Sequence, residues 1–227
     1  MSKCLMCFEP VVKIGWMAFL TMEDAPLCGR CEKDLEKITG PLCNDCGRMM
    51  EEPSICEDCQ KWRRIPFWTD KMMKNRSVYI YNEGMKEILN QFKFRGDVEL
   101  VKVFRHELSR LYRKEYSKVD LICPIPLSDE RLYERGFNQT QLLAELLGKK
   151  VTPLMTKKHE IKQSKKSRKE RIESNTTFEV LPQINVYGKH ILLVDDLYTT
   201  GSTIRNAAKV LLEHGASQIS SLTVIRS

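Results

Sequence analysis

The sequence predicts an α/β protein with a parallel sheet, preceded by a small metal-stapled module. Three observations carry that prediction. The run Ile191–Val194 is wholly apolar, as in a strand covered by helices on both faces. Strand-like and helix-period segments alternate from residue 77 onward. Eight of the nine cysteines fall within the first 59 residues, as four C-x-x-C pairs.

Taken in order, residues 1–62 form the cysteine module and 63–76 read as a linker that includes Trp68. The domain 77–227 opens with a short strand at "SVYIY" and two helices. Met85, Ile88, Leu89 and Phe92 recur at helical spacing, and so do Leu100, Val103, Phe104, Leu108 and Leu111. "KVDLICPI" (118–125) is a buried strand closed by prolines, with Cys123 as a core residue. "GFNQTQLLAELLGKK" is a helix stopped at Gly148, and "KVTPLM" a short strand. "GKHILLVDD" is the strongest strand. A helix follows with Ile204, Ala207, Ala208, Leu211 and Leu212 on one face, and "ISSLTVIRS" closes the sheet.

Hydrophobic content of 42% with 30% charged residues excludes a disordered chain. No apolar stretch is long enough to span a bilayer, so no membrane insertion is expected. The amino terminus lacks a secretory pattern, which points to a reducing cytoplasm. There, C-x-x-C pairs are metal ligands rather than disulfides. Cys4, Cys7, Cys28 and Cys31 make one tetrahedral zinc site, and Cys43, Cys46, Cys56 and Cys59 a second. Four thiolates leave no open position, so both metals are structural; spacing alone leaves a crossed pairing open. The formal charge of +7 is concentrated in 156–171, "TKKHEIKQSKKSRKER", whose net is +6. The four histidines are scattered and suggest no role.

Two aspartates at the end of the most hydrophobic run need a reason. Ligands of open parallel sheets bind at the carboxyl ends of strands. After Asp195 and Asp196, the loop Thr199, Thr200, Gly201, Ser202, Thr203 leads into a helix, whose first amides and hydroxyls make a phosphate seat. Carboxylates suit ribose hydroxyls or a divalent cation that bridges to phosphates. The alternative is a hydroxyl-rich helix cap beside two solvated aspartates.

"ILLVDDLYTTGST" resembles the 5-phosphoribosyl 1-diphosphate (PRPP) motif of the type I phosphoribosyltransferases. With "FKFRGD", "CPIPLSDERLYERGFNQTQLLAELL" and the four C-x-x-C pairs, nearly the whole chain is similar to the ComF family of that superfamily. The resemblance implies a phosphoribosyltransferase-like parallel sheet flanked by helices, with an N-terminal double zinc ribbon. It implies that Asp195 and Asp196 face the ribose of PRPP, bound with magnesium, and that Thr199–Thr203 cradle its 5-phosphate. Arg131 and Arg135 would lie at the pyrophosphate loop. The basic segment, with Lys157, Lys158, Lys162, Lys165, Lys166, Arg168, Lys169 and Arg171, would be the mobile active-site flap or a nucleic-acid contact; its bland alternative is a solvated charged loop. The family link also implies a part in natural transformation: handling single-stranded DNA in the cytoplasm with the ComF helicase-like translocase and other competence proteins.

An active transferase acting on an unknown acceptor is the competing expectation. No residue is assigned as catalytic. The sequence ends directly after the last strand, so an acceptor pocket is expected from the amino-terminal module or residues 67–95. Trp62 and Trp68, beside Arg63 and Arg64, either pack between modules or stack on bases, the former being the more ordinary use of aromatic residues.

Overall fold

The computed structural model describes residues 2–11, 26–71, 73–94, 96–158 and 177–227. In chain order these give α1 (Gly29–Lys33), α2 (Glu57–Arg63), β1 (Lys74–Ile80), α3 (Glu83–Phe94), α4 (Arg105–Glu115) and β2 (Leu121–Pro124). There follow α5 (Asp129–Arg135), α6 (Gln139–Glu145), β3 (Met155–Lys158), β4 (Thr177–Val180), β5 (His190–Tyr198), α7 (Ser202–Glu213) and β6 (Gln218–Arg226). The main sheet has the order β1-β6-β5-β2, every pair parallel.

Side-chain alternation along the strands divides the core in two. Leu192 and Val194 of β5 join one cluster with Met85, Ile88 and Phe92 of α3, Leu108 of α4 and Leu143 of α6. Ile191 and Leu193 point the other way, toward Ile204, Ala207, Ala208 and Leu211 of α7. Helices on both faces explain why Ile191–Val194 carries no polar residue. The helical patterns read from sequence therefore bury as expected, with one change. Leu100, Val103 and Phe104 lie on a 3-10 segment, Val98–Phe104, that precedes α4.

The two cysteine clusters straddle the sheet. The first packs with the α3/α4 core and the second with the α7 core. Between them, residues 36–38 lie antiparallel along β1, with Ile38 N donating to Val78 O (2.9 Å) and Ile80 N to Glu36 O (3.0 Å). The exposed edge of the sheet is thereby covered. Gly84 at the start of α3 sits where a Cβ would come within 2.8 Å of Asp34, so this approach of α3 to the first module requires glycine.

Three elements depart from the sequence reading. β1 begins at Lys74, inside the stretch read as linker, because Asn75 bonds Asp45 O and Cys46 O of the second cluster. Of "KVTPLM", Val151 makes a single parallel bridge to Ile122, while Met155 opens β3, which pairs antiparallel with β4. Lys157 and Lys158 are thus strand residues rather than part of a loop. Burial of Met155 and Phe178 in the α7 core holds this hairpin. Finally, β5 continues four residues past Val194, since its pairing with β6 runs to Tyr198 and Arg226.

Candidate functional site

After β2 the chain runs outward to Val151, which bridges Ile122 on the free side of β2, whereas β5 leads to β6, so the sheet's switch point lies between β2 and β5. Asp195 and Asp196 stand there on β5, only 8% and 6% exposed. Asp195 accepts a hydrogen bond from the Asp196 amide at 2.9 Å. Asp196 accepts from Gln139 Nε2 at 3.4 Å and forms an ion pair with Lys93 of α3. Burial and the charge of Asp196 push the Asp195 carboxyl up to about 7, against the pull of Lys93 and Lys157. An acid so placed takes up and releases its proton near neutrality.

The loop beyond β5 turns at Gly201, whose φ of +81° favours glycine. Space demands glycine as well: a Cβ would fall 2.2 Å from the Tyr198 hydroxyl. Gly201 caps α7, with Arg205 N donating to Gly201 O at 2.8 Å. Thr199, Thr200, Ser202 and Thr203 are exposed at the rim, and the Thr200 and Ser202 hydroxyls lie 2.8 Å apart. Hydroxyls thus cluster at the amino end of a twelve-residue helix beside two carboxylates, where helix amides and the helix dipole favour an anion.

Cations approach from three further elements. Ser128, buried at the end of the β2 loop, caps α5 by accepting from Arg131 N, and Gly136 closes that helix in the left-handed conformation. This short helix carries Arg135 within electrostatic reach of Asp196, and Arg131, exposed, within reach of Arg135 and Lys157. Burial lowers the Arg135 pKa, Asp196 raises it and Arg131 lowers it. Burial likewise lowers Lys157 of β3; the charges of Arg131 and Arg135 add to that, while Asp195 opposes it. Lys93, Arg135 and Lys157 thus bear directly on the aspartate pair, with Arg131 beside the latter two. Of the other basic residues singled out in the sequence, Lys158 ends β3, and Lys162, Lys165, Lys166, Arg168, Lys169 and Arg171 lie outside the described residues.

The cysteines assemble in sequential order. The sulfurs of Cys4, Cys7, Cys28 and Cys31 all lie within 4.8 Å of one another, as do those of Cys43, Cys46, Cys56 and Cys59. Cys7–Cys28 and Cys46–Cys56 are each 3.6 Å apart. A zinc tetrahedron with ~2.3 Å arms needs sulfurs roughly 3.8 Å apart, so both donor sets fit the ion. The Cys56 amide donates to Cys43 Sγ at 3.4 Å, a bond that favours thiolate.

The second cluster also touches the anion loop. Trp62 Nε1 donates to Thr200 O at 2.9 Å, and Arg226 Nη1 donates to Thr199 O at 3.0 Å and to Tyr198 O at 3.3 Å. Trp68 is 4% exposed, and both indoles face the Arg205 guanidinium at 5.0 Å. The tryptophans therefore pack between modules, and Arg63 is engaged by Asp45.

A double zinc ribbon domain model matches residues 2–60, and a phosphoribosyl transferase domain model matches 135–227. Competence protein ComFC of Bacillus subtilis is 43% identical over 228 residues, covering 99% of this chain and 95% of that protein. The chain belongs to the ComFC family. The ComFC of Streptococcus pneumoniae is 34% identical over 99% of this chain and all of that protein. DNA utilization protein YhgH of Salmonella typhimurium is 27% identical over 95% of the chain and 93% of that protein. A hypoxanthine phosphoribosyltransferase structure from Staphylococcus aureus aligns at TM-score 0.38 and 13% identity, over 57% of this chain and 65% of that one, and carries no weight here.

This ComFC-family chain has the expected architecture: a phosphoribosyltransferase-like parallel sheet flanked by helices, behind a double zinc ribbon. Sequence reasoning missed Lys93, Gln139, Arg205 and Arg226. "FKFRGD" drew attention to the stretch around Lys93, but nothing local to it reveals that its partner stands 103 residues away. Arg226 and Arg205 carry no local signal in the sequence, and both are buried in the fold.

Proposed function

We propose that this protein handles incoming single-stranded DNA during natural transformation and binds PRPP, or a related phosphorylated sugar, at the switch point of its sheet. The family relationship along the whole chain supports the competence role. The observation that carries the sugar-phosphate reading is the placement of Asp195 and Asp196 directly before the Gly201 turn, with Lys93, Arg135 and Lys157 acting on them. In this reading Asp195 and Asp196 hold ribose hydroxyls, and Thr199–Thr203 hold the 5-phosphate. Arg131, Arg135 and Lys157 neutralise the diphosphate. Magnesium, when bound, would add charge between the carboxylates and phosphates.

Lys157 and Lys158 begin the basic segment that runs through Lys162, Lys165, Lys166, Arg168, Lys169 and Arg171. Its charge suits a single-stranded backbone, which would leave the sugar-phosphate seat at its root. We place the protein in the cytoplasm, with the ComF helicase-like translocase as the partner that delivers the strand. Fluorescence anisotropy with a labelled oligo-dT tests the DNA half. Affinity is expected to fall steeply with salt, and Lys162/Lys165/Lys166/Lys169→Ala to weaken binding at least tenfold and flatten the salt slope. Wild-type affinity in that variant contradicts the assignment.

A second reading, active phosphoribosyl transfer, is favoured by Asp195, whose elevated pKa suits proton transfer at neutral pH. Appearance of diphosphate with an added nucleophile supports it; no release above the uncatalysed background, across free bases and nucleic acid, counts against it.

A further inference from the structure

We propose that the second zinc ribbon positions the anion loop from beneath, with Arg226 and Arg205 as positioning residues, so that sugar-phosphate affinity depends on metal at the second cysteine site and not at the first. The inference rests on the sugar-phosphate reading for its ligand but on separate contacts for its geometry.

Arg226 is the link. One guanidinium nitrogen donates to Cys46 Sγ at 3.4 Å, and another holds the carbonyls of Tyr198 and Thr199, where β5 becomes the loop, as well as Ser227 O. Trp62, three residues after Cys59, reaches the next loop carbonyl, Thr200 O, at 2.9 Å. Three successive loop carbonyls are thus gripped by groups tied to the second cluster. Beneath them Arg205, 2% exposed, lies against Trp62 and Trp68, and its own amide closes the Gly201 turn. Asp45, between Cys43 and Cys46, braces this part of the ribbon by accepting from Arg63 Nε at 3.0 Å and Arg63 Nη2 at 2.8 Å.

Charge explains the arrangement. Arg205 and Arg226 are both buried, and among the described residues neither pairs with an acidic side chain. A zinc ion held by four thiolates carries a formal net charge of −2, which suits the Arg226 guanidinium that reaches Cys46 Sγ. Loss of the metal frees the Cys46 knuckle, and with it the sulfur that anchors Arg226 under the loop. The first cluster packs on the opposite face of the sheet and makes none of these contacts. The two ribbons, alike in chemistry, therefore do unlike work.

The experiment compares the full-length wild type with Cys7→Ser, Cys46→Ser, Arg226→Met and Arg226→Lys. Zinc content comes from metal-release titration, loop order from amide hydrogen exchange at 198–203 without ligand, and affinity from calorimetry with PRPP and Mg²⁺. Cys7→Ser is expected to keep wild-type exchange in the loop and affinity within about twofold. Cys46→Ser is expected to raise loop exchange at least tenfold and to weaken binding by a similar factor. Arg226→Met separates positioning from folding: it should retain both zinc ions yet show the same loop release, and Arg226→Lys should recover part of it. Wild-type exchange in Arg226→Met, or equal effects of Cys7→Ser and Cys46→Ser, overturns the proposal. Absence of PRPP binding by the wild type would sink the sugar-phosphate reading alone, since the exchange data still judge the coupling.

Discussion

Asp195 concentrates the chemistry of the site in one titration. Its folded pKa of about 7 lies above the ordinary carboxylate value, so the folded state favours the protonated form. Stability from this group is fully present below pH ~4 and is lost as pH rises toward 7, by roughly 2–4 kcal/mol. Asp195→Asn should then be more stable than wild type at pH 8 and little changed at pH 5, as urea unfolding at the two pH values would reveal. A divalent cation prefers the ionised form, so magnesium-dependent ligand binding should strengthen from pH 6 to 8 in the wild type and lose that slope in Asp195→Asn. Lys93 supplies a second test. Among the described residues its loss leaves Asp196 buried with the Gln139 bond and the more distant charge of Arg135, and breaking a buried pair costs about 3 kcal/mol. Lys93→Met should melt lower than wild type and recover more on millimolar Mg²⁺ than wild type gains. Equal Mg²⁺ shifts in the two proteins would show that Asp196 is no cation seat.

At the scale of elements, β5, α7 and the cysteine knuckles were legible because their signals are local. Four apolar residues together, a 3.6-residue stripe and C-x-x-C pairs need no partner to be recognised. The β3–β4 hairpin was hidden, since β4 holds one large buried residue, Phe178, and the basic segment between the strands masks their pairing. The 3-10 segment before α4 shares the apolar spacing of an α-helix and differs only in its hydrogen bonding. The aspartate pair and the loop were legible as a candidate site; the inward-facing cations were not, because Lys93 and Arg226 acquire meaning only through the sheet. One charged triad, Lys37, Glu107 and Arg110, ties the first module to α4. Glu107 of α4 is held down to about 2 because Lys37 and Arg110 outweigh the burial that would raise it. That contribution is present above pH ~4.5 and is lost as pH falls toward 2. Glu107→Gln should cost about 1 kcal/mol at pH 7, given that both cations are largely exposed, and nothing at pH 2. A thermal unfolding series across that range would check it.

For the molecule as a whole, the amino-terminal module is a clamp around the sheet rather than an appendage. One ribbon lies on each face, and residues 36–38 bridge the edge at β1. The buried polar seam of Asn75, Ser77, Ser221 and Thr223 is internally satisfied, with Ser77 Oγ and Thr223 Oγ1 2.6 Å apart and Ser221 Oγ donating to Asn75 at 2.9 Å. Such a seam specifies how the second ribbon docks, where an apolar surface would tolerate many registers. Lys157 of β3 stands within electrostatic reach of Asp195. The central claim is that β5 and the first turn of α7 receive a phosphorylated ribose. Calorimetric titration of the zinc-loaded protein with PRPP and Mg²⁺ tests it most directly. The account predicts saturable heat at one site per chain, abolished in Asp195→Asn/Asp196→Asn. A flat trace from the wild type, or the same isotherm from the double variant, would contradict it.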